Sequence, residues 1–70
     1  MGTKHGADVD DVVVDRLVRG FTVAGATRAE LVAATAILTE RGMTARAIGR
    51  QIGRDRRSVE RYRAASRARA

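Results

Sequence analysis

The sequence predicts an all-α fold, a small helical bundle of about four helices. Three features point there. Proline is absent, and the apolar share of 44% comes from Ala, Val, Leu and Ile, with Phe21 and Tyr62 as the aromatic residues. That mix favours helices over a β-sandwich. Apolar residues recur at three- and four-residue spacing, the period of a helix. Capping residues (Thr27, Thr44, Asp55) precede the later apolar runs, and glycines (Gly42, Gly53) close two of them. Seventy residues make one domain. A chain this short buries only about 60% of the surface its unfolded form exposes. With no cysteine, neither a disulfide nor a thiolate metal site reinforces it.

Residues 1–7 are small and polar and read as a disordered tail. Val9, Val13, Leu17 and Phe21 then recur every four residues, with Val12, Val14 and Val18 beside them. Asp8, Asp10 and Asp11 sit where the positive end of a helix dipole would be. A first helix is expected over about 9–19. The "DVVVD" run would also suit a strand by β-branching, but it lacks period-2 alternation. "GFTVAGAT" at 20–27 reads as a connection, with room for a short extended piece at 21–24. Thr27 and Glu30 form a capping box before a second helix, "LVAATAILTER", closed by Gly42. Leu31, Ala34, Thr35 and Leu38 share one face of it, flanked by Val32 and Ile37. This helix is the expected centre of the core. Thr44 caps a third helix, "ARAIGRQI", ended by Gly53. Asp55 caps a fourth, "RRSVERYRAA", and the tail "SRARA" is expected to fray. The domain is thus read as 8–66, with 67–70 as a basic tail.

The formal charge of +6 is unevenly placed. Residues 1–42 carry five Lys/Arg and six Asp/Glu, whereas residues 43–70 carry nine Arg and two acids. Such asymmetry suggests an anionic partner for the C-terminal part. Arginine suits bidentate contact with phosphate and guanine, although a GC-rich genome would also favour it. Within this basic part, Ile48 and Ile52 lie on one short helix and Val59 and Tyr62 on the next, across a turn at Gly53. A helix pair joined by a short glycine-containing turn is a helix-turn-helix unit, here 44–65. Gly53 is needed if the backbone takes a positive φ there. Gly49 lets the second helix pass close.

The stretch "MTARAIGRQIGRDRRSVERYR" resembles the helix-turn-helix of bacterial and phage DNA-binding proteins. These include small repressors, sigma-factor-like regions and the DNA-binding domains of resolvase/invertase recombinases. The pattern is a Thr/Ser cap (Thr44), an apolar residue (Ile48) and a small residue (Gly49, commonly Ala). It continues with Ile52, the turn glycine Gly53, a polar cap (Asp55) and an apolar pair (Val59 and Tyr62). Arg54 departs from it, since an apolar residue usually follows the turn glycine. The resemblance is close over 43–65. More loosely, 9–65 look like small actinobacterial or actinophage proteins.

The resemblance implies that the N-terminal end of 55–65 enters the DNA major groove. With Val59 and Tyr62 inward, the expected base contacts are Arg56, Arg57, Glu60 and Arg61. Arginine pairs with guanine O6 and N7, and Glu60 accepts from a cytosine amine. Glu60 is read slightly more readily as an intrahelical partner of Arg56 or Arg57. Expected phosphate contacts are Thr44, Arg46, Arg50, Arg54, Ser58 and Arg63, with backbone amides at the helix N-termini. Arg67 and Arg69 either follow the DNA or do nothing. Tyr62 reads as core, with its hydroxyl at the rim, rather than as a base-stacking residue. Met43 reads as a residue packing from loop to core.

The expected function is sequence-specific binding of double-stranded DNA by a small phage or bacterial transcriptional regulator, or by an excision or recombination accessory factor. The alternative is an interaction module, which forms a homodimer or engages a host protein through the wide apolar helix 28–41. Val9, Val12, Val13, Val14 and Val18 also exceed what one core stripe needs, and such surplus suggests a partner. Generic binding of RNA or other polyanions is a third reading. Enzyme chemistry lacks material, because the one histidine, His5, lies in the tail. Helix-dipole compensation explains Asp8, Asp10, Asp11 and Asp15, so no catalytic residue, metal, cofactor or small-molecule substrate is expected. No apolar run approaches about 18 residues, so no membrane partner is expected and the expected location is cytoplasmic.

Overall fold

The computed structural model describes residues 9–69. It contains four helices: α1 (Asp11–Val18), α2 (Arg28–Glu40), α3 (Ala45–Ile52) and α4 (Arg56–Arg69). No strand is present among the described residues, so the short extended piece expected at 21–24 does not form one. The tail expected at 1–7 lies outside the described residues. No helix is long and apolar enough to cross a membrane among the residues described.

Each helix begins and ends for a local reason. Asp10 caps α1: its Oδ1 accepts the Val12 amide at 2.9 Å. Val9 therefore lies outside the helix, where it packs against the core. At the other end Gly20 takes φ 96°. The Gly20 amide donates to the Leu17 carbonyl and the Phe21 amide to the Arg16 carbonyl, the Schellman pattern. For α2 the capping box is complete: Thr27 Oγ1 accepts the Glu30 amide at 3.1 Å, and Glu30 Oε1 accepts the Thr27 amide at 2.8 Å. Gly42 closes α2 as Gly20 closes α1, with the Met43 amide donating to the Leu38 carbonyl. Thr44 Oγ1 caps α3 through the Ala47 amide at 3.1 Å.

The fourth helix runs beyond the expected end near 65, to Arg69. The reason is composition. Residues 64–69, "AASRAR", hold strong helix formers and no glycine or proline to stop the helix.

The second helix is central and touches the other three. Leu17, Leu31, Ala34, Leu38, Ile48 and Val59 form the most buried part of the core. Each large side chain there is worth about 1.5–3 kcal/mol relative to exposure, so these few contacts dominate the stability of so small a domain. The face predicted on α2 is buried, but Ile37, expected to flank it, is 38% exposed. Val12 and Phe21 stand further out, at 59% and 60%. Glu30 joins two helix starts, because its second oxygen, Oε2, accepts the Asp10 amide at 2.8 Å. Thr35 is fully buried, and its hydroxyl has no hydrogen-bond partner among the described residues.

Candidate nucleic-acid interface

Gly53, Arg54 and Asp55 join α3 to α4. Gly53 takes φ 77°, ψ 35°, the left-handed conformation that other residues adopt at a cost. The Gly53 and Arg54 amides both donate to the Gly49 carbonyl at 2.9 Å, which folds the turn back on α3. Gly49 is fixed by space rather than by φ. A Cβ there would lie 2.5 Å from the Arg54 carbonyl oxygen and 3.5 Å from Val59 Cγ2. Ile48, Ile52, Val59 and Tyr62 are all buried, so the two helices close over α2 as their spacing suggested. Tyr62 is a core residue, and the Arg28 guanidinium sits 5.9 Å from its ring centre, within cation–π range. Met43 packs against the core from the loop.

Burying Val59 and Tyr62 turns the opposite side of α4 outward. Arg56, Arg57, Glu60 and Arg61 are all exposed there. Arg56 Nε lies 3.7 Å from Glu60 Oε2, the intrahelical pair expected from their spacing. Both side chains are more than half exposed, so the pair is worth roughly 0.3–0.5 kcal/mol and leaves both groups available to a ligand. Arg46 and Arg50 are exposed one turn apart on α3, and Arg54 is exposed in the turn. Arg54 Nη1 donates to the Gly53 carbonyl at 3.1 Å.

Three expected phosphate contacts have duties inside the fold. Thr44 Oγ1 is the α3 cap, although its own proton remains to be donated. Ser58 Oγ donates to Asp55 Oδ1 at 2.7 Å. Arg63 is part-buried: Nε donates to Thr39 Oγ1 at 3.0 Å and Nη2 to the Met43 carbonyl at 2.9 Å. It ties α4 to the end of α2 and is set apart from the outward arginines. Nothing local in the sequence marks Arg63 for this, because its acceptors lie 24 and 20 residues away.

Gln51 was singled out by no motif, yet it holds α3 to α1. Its Nε2 donates to the Leu17 carbonyl at 3.0 Å and the Val18 carbonyl at 2.9 Å, capping α1 from another helix. The Asp55 carboxyl has a lowered pKa. The hydroxyl of Ser58, bonded to its carboxylate, holds it below the ordinary value, and backbone amides act in the same sense. Asp55 thus stays ionised at the start of α4, where negative charge is favoured. Among known proteins, the chain matches no family model, no curated protein and no solved structure.

Proposed function

We propose that α3 and α4 act as a helix-turn-helix that binds double-stranded DNA by sequence, in a small phage or bacterial transcriptional regulator. One observation carries this reading. Arg56, Arg57, Glu60 and Arg61 are exposed together on α4, directly behind a buried Val59 and Tyr62. In this role the start of α4 enters the major groove, where Arg57 and Arg61 meet guanine edges. Arg46, Arg50 and Arg54 flank it against phosphates, which fix register without reading sequence. Glu60 has two uses on this surface: it steadies Arg56, and it accepts from a cytosine amine. Selecting random duplexes with the purified protein at about 150 mM salt tests the reading, since phosphate contacts alone weaken steeply over this range. A single enriched motif is expected, with binding lost in Arg57→Ala and Arg61→Ala. Unchanged binding in both variants would falsify the proposal.

A second reading has its own observation. Val12 and Phe21 are large, apolar and about 60% exposed on and just after α1. Apolar exposure of this size on a small domain favours a protein partner, a second copy or a host protein. Sedimentation of the free protein distinguishes them: self-association that Phe21→Ser abolishes supports a dimer, and a monomer points to a different protein.

A further inference from the structure

Arg57 and Arg61 lie one turn apart on the outward side of α4, but they are held differently. The Arg57 side chain is exposed and makes no hydrogen bond or ion pair among the described residues. Arg61 Nη2 approaches Ser58 Oγ at 3.5 Å. That hydroxyl donates its proton to Asp55 Oδ1 at 2.7 Å, so its lone pairs are what it presents to the guanidinium. Asp55 is itself fixed. Its Oδ2 accepts the Ser58 amide at 3.3 Å, and its carbonyl accepts the Val59 amide at 3.1 Å. A chain of hydrogen bonds therefore runs from the turn, through Ser58, to one outward arginine and not to the other.

We propose that Ser58, oriented by Asp55, is a positioning residue that presets the Arg61 guanidinium for base recognition. The inference rests on the duplex-DNA reading given above. A free arginine samples many rotamers, and ordering it on a base opposes binding. A side chain already biased toward one rotamer loses less, and geometry held in advance separates right from wrong bases more sharply. The contact at 3.5 Å is at the outer limit of a hydrogen bond, so the effect is a bias and not a lock. Arg57, with no such tether, adapts to what it meets. Ser58 then has a role other than direct phosphate contact. Removing a phosphate contact would weaken all duplexes alike, whereas removing a positioning residue weakens the matched duplex alone.

The test uses the full chain, the duplex selected by the wild-type protein and a scrambled duplex of equal length. Ser58→Ala keeps the net charge and the Asp55 cap. It is expected to lower the ratio of matched to scrambled affinity by about threefold to tenfold, the worth of one hydrogen bond, with the salt dependence unchanged. Ser58→Thr, which keeps a hydroxyl, is expected to restore the ratio. In an Arg61→Ala background, Ser58→Ala is expected to do nothing further, because its effect passes through Arg61. Helicity measured by circular dichroism controls for loss of fold in each variant. Additive losses, or equal weakening of matched and scrambled duplexes, overturn the positioning role and leave the DNA reading intact. A wild-type protein that enriches no duplex overturns both.

Discussion

Gly49 shows how one missing side chain fixes the geometry of the turn. In an open helix Gly→Ala stabilises by about 0.5–1 kcal/mol. Here the added Cβ would meet the backbone carbonyl of Arg54 at 2.5 Å, which no side-chain rotation relieves. Overpacking of this kind costs about 1–3 kcal/mol, so the clash outweighs the gain in propensity. Gly49→Ala should lower the urea midpoint without changing the slope; a raised midpoint would mean that the turn yields easily. The opposite sign is expected at Thr35. Its hydroxyl is buried without a partner among the described residues, so Thr35→Val exchanges an unsatisfied polar group for a methyl of similar size. A gain of about 1 kcal/mol in thermal stability is expected, and a loss would show that the hydroxyl is bonded after all.

Between elements, the bonds that matter are those that cross from one helix to another. Gln51 satisfies two carbonyls at the end of α1. In Gln51→Ala the Val18 carbonyl turns to water, the Leu17 carbonyl is left to the amides of its own turn, and α1 loses this tie to α3. Amide exchange in α1 should accelerate well beyond that in α2, whose capping box and central packing are untouched. Equal rates in both helices would sink this view of α1 as a separately held element. The start of α4 responds to pH in a definite direction. The folded pKa of Asp55 is lowered, so its contribution to stability is present above the ordinary carboxylate range. That contribution is lost as pH falls through the lowered value. Asp55→Asn retains a capping side chain but does not titrate. Its acid unfolding curve should be flatter than that of the parent protein, and an identical curve would assign the acid limb to other carboxylates.

The boundaries of α2 and α3 and the start of α4 were legible because their causes are local. Thr27 with Glu30, Thr44, Asp55 and the glycines at 42 and 53 each act within a turn of their own position. What stayed hidden depends on distant partners. Nothing near Gln51 announces α1, and nothing near Glu30 announces Asp10. The outward position of Phe21 follows from the path the chain takes after Gly20, not from its four-residue spacing with Leu17. For the candidate site, the inward pair Val59 and Tyr62 was enough to place Arg56, Arg57, Glu60 and Arg61. It did not separate Arg63, whose bonds are made to the end of α2.

On the scale of the whole molecule, charge and packing divide the surface into two parts. The acidic side chains Asp10, Asp11 and Asp15 lie at α1, where Arg16 and Arg19 offset part of their charge, while exposed arginines line α3, the turn and α4. On the proposed DNA reading, a polyanion is drawn to the α3–α4 side before any base is read. Two kinds of arginine should then separate by experiment. Arg50 stands on α3, outside the recognition face, and its expected partner is a phosphate. Arg50→Ala should weaken matched and scrambled duplexes equally and reduce the salt slope by about 1. Arg57 stands on the outward side of α4, and its expected partner is a guanine. Arg57→Ala should cost the matched duplex about 1–3 kcal/mol and the scrambled one much less. If both variants weaken both duplexes to the same degree, all the arginines act as generic charge. Recognition would then fall to the exposed apolar side chains Val12 and Phe21.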